Sequence, residues 1–235
     1  MLDRPIWAIV PLKSLDRAKQ RLASVLSPEE RRALMLAMAR DVLTSLARST
    51  ELAGTLIVSR TPEADALSQA FGTERFAESP DADLPHALTQ AAEYLRDQLG
   101  AHGAFIVPAD VPLITEDDID AAIRTHEVVS ILPDEENVGT NGLILSPVDV
   151  MPLVFNGKSF RPHVDAAEAL GLTPKIVPLP GFALDIDSPQ DLKALLARGP
   201  HTQTGTYLDR SGIAERLQAL DNISVSNQST DRHDV

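Results

Sequence analysis

The sequence predicts a single α/β domain over residues 1–198, with a mostly parallel central sheet and helices on both faces, followed by a polar tail over 199–235. Short apolar segments alternate with longer amphipathic ones along most of the chain, which is typical of strands alternating with helices. The apolar segments show no alternation of polar and apolar residues, which indicates strands buried on both faces. From about residue 199 the composition shifts to small and polar residues, and we expect that end to be mobile.

The first half of the chain contains two strand and helix pairs. Residues 7–10 form the first predicted strand, which ends at Pro11. Ser27, Pro28 and Glu30 supply an N-cap, a proline in the first turn and a capping-box acid, so a helix is predicted from residue 28 to about 48. Residues 55–59 form the second strand, and a capped helix ends near Gly72.

The second half continues the pattern. We predict a helix over 84–99, a strand over 104–107 and a helix that begins at Thr115. Strands over 128–132 and 142–145 follow, and their connection is too short for a crossover helix, which favours an antiparallel second strand and a mixed sheet. A capped helix runs from Ser188 to about 196, and a short helix is predicted around 213–220 within the polar tail.

Composition excludes several classes of function. With 34 acidic and 21 basic residues the net charge is −13, which argues against a nucleic-acid partner and against an anionic membrane. The chain has no cysteine, so disulfides, thiolate metal sites and thiol nucleophiles are excluded. It has neither a cationic start followed by a long apolar stretch nor eighteen apolar residues in a row, and we expect a cytoplasmic protein.

A basic segment follows the first strand. Lys13, Arg17, Lys19 and Arg21 lie at the carboxyl end of that strand, where open α/β sheets bind ligands. No glycine-rich phosphate loop is present, so side chains would have to hold phosphates. Because Lys19 and Arg21 are two positions apart, their side chains lie on the same side of the segment only if it is extended or looped rather than helical. A solvated basic loop is the alternative interpretation.

Three aspartates follow or end predicted strands. Asp110 follows the strand over 104–107 between two prolines, a position that suits Mg²⁺ shared with substrate phosphates. Asp185 and Asp187 would project from one face about 6.6 Å apart if residues 184–187 end a strand. Alternatively, Asp110 caps a turn and Asp187 belongs to the helix start at Ser188. The second alternative leaves Asp185 without an explanation.

Two loops of small residues, 139–142 and 156–163, can present backbone N–H groups to a carboxylate or phosphate. Each alone is more often an ordinary turn. His163 begins a predicted helix, and a lone histidine there is more often structural than catalytic. The histidines show no metal-ligand spacing, so no zinc site is predicted. One sheet carrying a basic loop, three carboxylates and these two loops suits metal-assisted nucleotidyl transfer.

The ordered set of these motifs resembles the guanylyltransferases that activate a three-carbon phospho-acid in the biosynthesis of coenzyme F-420. The resemblance covers roughly residues 6–197, and its matching segments are 9–13, 18–22, 108–113, 139–141, 157–160 with His163, and 185–189. It implies the Rossmann-like nucleotidyltransferase form of the α/β fold. One departure is the sequence Leu84-Pro85-His86, where the family pattern has Leu-Asn, and it affects the expected base or acceptor contacts.

The resemblance also implies roles for particular residues. The expected set is Asp110, Asp185 and Asp187 for Mg²⁺, Lys19 and Arg21 for the GTP triphosphate, Pro11, Leu12 and Lys13 near the base, and Thr140, Gly157 and Ser159 for the acceptor carboxylate. Lys19, Arg21 and Asp110 are the expected catalytic residues.

The implied reaction transfers GMP from GTP to 2-phospho-L-lactate, phosphoenolpyruvate or 3-phospho-D-glycerate and releases pyrophosphate. A downstream ligase that consumes the product and a homodimer are the protein partners that this interpretation allows. The alternatives are a nucleotidyltransferase with a molybdopterin or sugar-phosphate acceptor, and a non-catalytic nucleotide-binding protein of the same fold.

Overall fold

The structure, a computed structural model, describes residues 4–12 and 19–219. Within these ranges seven strands form one sheet: β1 (Ile6–Pro11), β2 (Leu52–Val58), β3 (Glu74–Phe76), β4 (Gly103–Ile106), β5 (Val129–Pro133), β6 (Thr140–Leu145) and β7 (Lys175–Ile176). The helices of the same ranges include α1 (Pro28–Arg48), α2 (Pro62–Phe71), α3 (Leu84–Leu99), α4 (Glu116–Arg124), α5 (Phe160–Ala169), α6 (Pro189–Arg198) and α7 (Gln203–Arg210). Residues 213–219 are also helical.

The sheet is mixed, as predicted. Its strand order is β3-β2-β1-β4-β6-β5-β7, with β1 parallel to both β2 and β4. Strand β6 runs antiparallel to β4 and β5. The β5–β6 turn is closed by Asp134, whose carboxylate accepts hydrogen bonds from the N–H groups of Val138 and Gly139 at 2.8 and 2.7 Å. This six-residue connection leaves no room for a crossover helix, which makes β6 antiparallel.

Helices cover both faces of the sheet, and a separate apolar core lies under each. Ala8 and Val10 of β1 pack with α1, α2, α4, α6 and α7, whereas Ile9 between them packs with α3 and α5. Successive strand residues point to opposite faces, so an unbroken apolar strand supplies both cores. The predicted helices on both faces are confirmed.

Three helix starts follow side-chain caps of the capping-box type, whereas the predicted cap of α2, Thr61, makes no capping hydrogen bond. Ser27, Thr115 and Ser188 each accept a hydrogen bond from the N–H of the third residue of the helix that follows, and the acid at that position bonds back to the cap. Such capping boxes satisfy donors that the first turn leaves free. Strands β3 and β7 have only three and two residues, too few for a periodic pattern, so the sequence did not predict them.

The predicted domain boundary at residue 198 is wrong, because the domain continues through the end of the described region. Helix α7 and residues 213–219 bury Leu208, Ile213 and Leu217 in the same core as α1. Asp41 of α1 accepts hydrogen bonds from both N–H groups and the hydroxyl at the start of α7 (Gln203 and Thr204). The composition of this segment is polar, but these three apolar residues are enough to join it to the core. The rest of the predicted tail, 220–235, lies outside the described residues.

None of the helices in the described part of the chain has both the length and the apolar character needed to cross a membrane.

Candidate active site

The predicted site residues lie at one edge of the sheet. Strand β6 is antiparallel to β4, so the start of β6 lies at the carboxyl end of β4, and Ile106 pairs with Leu143. Thr140 and Asn141 therefore lie beside the segment that leads from β4 to Asp110. Pro11 ends the neighbouring strand β1, and the N–H of the buried Leu12 donates to the Val58 carbonyl at 2.9 Å. Lys13 lies outside the described residues.

Lys19 lies at the centre of this edge. Its Nζ donates hydrogen bonds to Asp110 Oδ2 at 2.6 Å and to Asp187 Oδ1 at 2.7 Å. The Lys19 side chain is only 7% exposed. Burial alone lowers the pKa of Lys19, but the two carboxylates outweigh it and raise that pKa above its ordinary value. Lys19 is therefore a positive charge held between carboxylates from two different segments of the chain.

Arg21 lies close to Asp187, which also contacts Lys19. Its Nη1 lies 3.7 Å from Asp187 Oδ2, and its side chain is 79% exposed. Lys19 has a left-handed backbone (φ 52°, ψ 48°) at the start of a short 3-10 turn over Gln20–Leu22. This turn brings the two cations to one side, as the looped alternative in the sequence analysis required. Arg21 projects outwards, where it is free to meet a ligand.

Asp185 is held in place by the side chain of Asn141. Asn141 Nδ2 donates to Asp185 Oδ1 at 3.2 Å and to the Phe182 carbonyl at 2.9 Å. Burial is the largest cause that raises the pKa of Asp185, and the nearby carboxylate of Asp110 raises it further. The Asn141 hydrogen bond acts in the opposite direction. A cation delivered to this point would stabilise the ionised form of Asp185.

The segment that carries Asp185 and Asp187 is held by packing and one backbone hydrogen bond. Phe182 stacks on Phe105 of β4 with ring centroids 5.7 Å apart, and the Ile186 N–H donates to the Asp110 carbonyl at 3.1 Å. A Cβ on Gly142 would lie 3.1 Å from both rings, so glycine leaves room for the stack. Residues 184–187 form no strand, so the strand-end premise for the 6.6 Å separation is wrong.

Thr140, Ser159 and Gly157 lie on the other side of the start of β6. The Thr140 N–H donates to Ser159 Oγ at 3.1 Å, and Thr140 Oγ1 contacts His163 Nδ1 at 3.0 Å. Thr140 and Ser159 are both buried. Gly157 has a φ of +83° in the turn before α5, a conformation that favours glycine. The two loops of small residues thus converge.

The oxygen donor set at this edge fits magnesium. Among the described residues no three acidic or histidine side chains already converge into a complete metal site. Mg²⁺ usually needs only one or two carboxylates, because waters and substrate phosphates complete its octahedron. Asp110 and Asp187 already hold one cationic atom between them, and burial disfavours the charge of Asp185. Both observations indicate a place for positive charge brought by a ligand.

The predicted site omitted Asn141 and gave His163 only a structural part. Asn141 is next to Thr140 in β6, so the two side chains point to opposite faces, one toward Asp185 and the other toward His163. The alternation of a strand would have revealed this, had the strand been extended to Thr140. Pro85 and His86 lie in the first turn of α3, where the His86 N–H donates to the Asp83 cap at 2.9 Å.

The fold and this cluster define a nucleotidyltransferase-like α/β protein. A Desulfovibrio desulfuricans protein described as a nucleotide-diphospho-sugar transferase superposes with a TM-score of 0.73 at 17% identity, covering 91% of this chain and 98% of the other. A cytidylyltransferase of Leptospira borgpetersenii gives 0.56 at 13% identity, covering 94% and 96%. At these identities the likeness shows the fold alone.

The chain belongs to the CofC-like guanylyltransferase family. The sequence model described as "Guanylyl transferase CofC like" matches residues 6–226. The phosphoenolpyruvate guanylyltransferase of Conexibacter woesei is 35% identical over 193 residues, which are 80% of this chain and 86% of the relative. The 2-phospho-L-lactate guanylyltransferase of Methanobrevibacter ruminantium is 30% identical over 220 residues, which are 88% and 92%. The family resemblance predicted from the ordered motifs is confirmed.

Proposed function

We propose that this protein transfers GMP from GTP to a three-carbon phospho-acid and releases pyrophosphate, in the biosynthesis of coenzyme F-420. The observation that carries the proposal is the convergence of Lys19, Asp110 and Asp187 beside the Thr140 and Ser159 hydroxyls, in a member of a guanylyltransferase family. Relatives are named for phosphoenolpyruvate and for 2-phospho-L-lactate, and these are the first acceptors to test. 3-Phospho-D-glycerate offers the same pair of anionic groups.

The reaction needs alignment and charge neutralisation rather than a base. An acceptor phosphate oxygen, already ionised at pH 7, attacks the α-phosphorus of GTP. The new oxygen–phosphorus bond forms as the bond from the α-phosphorus to the bridging oxygen breaks, and pyrophosphate leaves with that electron pair. Positioning of the two anions and stabilisation of the transferred phosphoryl group are therefore the principal sources of rate.

Each site residue then has a place in the reaction. Lys19 and Arg21 bind the triphosphate, and Lys19 brings a desolvated charge that stays protonated because its pKa is raised. Asp110, Asp185 and Asp187 would hold Mg²⁺, which when bound supplies charge stabilisation at the phosphates. Pro11, Leu12 and Lys13 lie by the base in this proposal.

The acceptor half of the site is separate from the triphosphate half. Thr140, Gly157 and Ser159 would bind the acceptor's carboxylate, while Asn141 on the opposite face of β6 orients Asp185. The spacing between the two halves is set by one strand, because Thr140 and Asn141 are consecutive residues. In this proposal the acceptor's carboxylate binds on one side of β6, and its phosphate extends past the start of the strand to the triphosphate.

The test is pyrophosphate release from Mg²⁺ and GTP with the three acceptors in parallel. ATP in place of GTP, a blank without acceptor, and a supplied downstream ligase that removes an unstable product are the controls. Release that depends on GTP and on one acceptor supports the proposal. If GTP binds but no acceptor gives release, the proposal is overturned and molybdopterin or sugar-phosphate acceptors are tested next. The homodimer, the ligase partner and the cytoplasmic location stay predictions.

A further inference from the structure

His163 is a fully buried histidine whose two ring nitrogens both have partners. The N–H of Val154 donates to Nε2 at 3.1 Å, so Nε2 carries no hydrogen. Burial lowers the pKa of His163 to about 4, so the ring is neutral near pH 7. A neutral imidazole with an unprotonated Nε2 carries its hydrogen on Nδ1. The backbone of Val154 thereby sets the tautomer.

The tautomer sets the direction of the next hydrogen bond. Nδ1 lies 3.0 Å from Thr140 Oγ1, so His163 donates and the Thr140 oxygen accepts. The hydroxyl hydrogen of Thr140 then has to point elsewhere. The hydroxyl oxygen of Ser159 also already accepts a hydrogen bond, from the N–H of Thr140, so its hydrogen too has to point elsewhere. Within the described residues, no acceptor partner is found for either hydroxyl hydrogen.

The two buried hydroxyls therefore form a pair of donors whose oxygens are already engaged by protein groups. Such a pair suits an oxygen that only accepts hydrogen bonds, as in an ionised carboxylate, and it disfavours a sugar hydroxyl or an amide N–H, which would bring donors of their own. The pair lies at 5% and 3% residue exposure for Thr140 and Ser159, so an unpaired donor there is costly.

We propose that His163 is a positioning residue that turns the Thr140 hydroxyl into a dedicated hydrogen-bond donor for the anionic group of the acceptor. This inference rests on the proposed function, because it takes the acceptor to bind at Thr140 and Ser159. It adds a residue that does not touch the acceptor, and it gives a chemical reason for selecting a carboxylate-bearing substrate.

Two substitutions separate the positioning role from a structural one. His163→Asn keeps an amide N–H near the position of Nδ1 and can still donate to Thr140, but it loses the acceptor for Val154. His163→Gln keeps an amide oxygen near the position of Nε2 for Val154, but it loses the donor to Thr140. We expect His163→Gln to raise the acceptor KM about ten- to hundredfold, and His163→Asn to restore most of that loss, with the GTP KM changed less than about twofold by either.

A double-mutant cycle with Thr140→Val tests the link between the two residues. Once the hydroxyl is absent, His163→Gln is expected to raise the acceptor KM by no more than about twofold further. His126→Gln is the matched control, because His126 is another histidine whose pKa burial lowers to about 4 and whose Nδ1 contacts a hydroxyl, that of Ser130 at 2.8 Å. Its substitution is expected to leave the acceptor KM unchanged.

The tautomer itself is measured without turnover, by nitrogen-15 NMR of the histidine rings in the wild-type protein. The His163 signals are assigned as those that disappear in whichever of His163→Asn and His163→Gln is folded. An Nδ1–H tautomer near pH 7 supports the inference. An Nε2–H tautomer, or equal acceptor KM effects of the Asn and Gln variants, would overturn it while leaving the proposed function intact. Wild-type protein that lacks GTP-dependent turnover but shows the Nδ1–H tautomer would instead count against the proposed function.

Discussion

At the scale of single residues, the charge of Lys19 is the feature on which the candidate site depends most. The ammonium group is buried, and it is stabilised by two carboxylates at 2.6 and 2.7 Å. A buried charge of this kind is expensive to desolvate, and removing one partner leaves the others uncompensated. Lys19 also joins two segments that are 91 and 168 residues away in sequence. The same side chain therefore contributes to local stability and, in the proposed function, to phosphate binding.

Lys19→Met keeps the apolar stem and removes the charge. We expect kcat to fall by about 10²- to 10³-fold, the usual cost of losing one electrostatic contact to a transition state. Steady-state pyrophosphate release measures it. Lys175→Met is the matched control, since Lys175 lies on edge strand β7 and its Nζ donates to the Thr125 carbonyl. Near-wild-type turnover of Lys19→Met would remove Lys19 from the catalytic residues.

At the scale of elements, the docking of α7 on α1 shows how a polar segment becomes part of a domain. Asp41 satisfies donors at the start of α7, at 2.8 Å for both Gln203 N–H and Thr204 N–H. Burial raises the pKa of Asp41, although the hydrogen bonds from Thr204 and Gln203 oppose that shift. The carboxylate is thus an N-terminal cap delivered from another helix, and it holds Leu208 against the core.

Asp41→Ala is expected to lower the free energy of unfolding by about 1–3 kcal/mol, because buried donors at the start of α7 lose their acceptor. Urea denaturation followed by circular dichroism measures the change. The control is Asp209→Ala, which replaces an exposed acid on α7. It is expected to change the free energy of unfolding by less than about 0.5 kcal/mol. Equal stability of the Asp41 variant and the control would mean that this cap contributes nothing. The acceptor KM should be unaffected in both variants.

At the scale of the whole molecule, stability is expected to depend on pH through two histidines. Burial lowers the pKa of both His126 and His163 to about 4, whereas an unfolded histidine titrates near 6.5. Below pH 6.5 the unfolded chain binds protons that the folded protein does not. The contribution of the two neutral histidines to the free energy of unfolding is therefore fully present above pH 6.5 and is lost as the pH falls toward 4.

Denaturant unfolding at a series of pH values checks this dependence. We expect the free energy of unfolding to fall between pH 6.5 and 4, and His163→Gln to have a shallower slope over that window because it removes one of the two groups. An unchanged slope in the variant would show that His163 does not titrate with the lowered pKa.

The sequence predicts most of the fold because the information that it uses is local. Helix caps such as Ser27 and Ser188 and unbroken apolar strands are visible in short windows, and both of these caps were confirmed. Strand β7, with two residues, is defined only by its pairing with β5, and no local pattern marks it. The polar composition after residue 198 concealed α7, whose place is set by contacts with α1 rather than by its own periodicity.

The sequence predicted the charged residues of the candidate site but not the two residues that form hydrogen bonds with members of that site. Lys19 and Asp110 follow strands, and the rule that ligands bind at the carboxyl ends of strands was enough to group them. Asn141 and His163 act through hydrogen bonds to residues 44 and 23 positions away. Such pairings depend on the register of β6 with its neighbouring strands and on the position of α5 against the sheet. A single sequence does not specify either of them.

Guanylyl transfer to a phospho-acid is best tested by phosphorus-31 NMR of the protein with Mg²⁺, GTP and either phosphoenolpyruvate or 2-phospho-L-lactate. The proposed guanylyl transfer predicts two coupled resonances from a new phosphoanhydride between GMP and the acceptor, together with an equal amount of pyrophosphate. It also predicts that both disappear in Lys19→Met over the same time. Unchanged GTP, or pyrophosphate accompanied by free GMP with no new anhydride, would contradict guanylyl transfer to the acceptor.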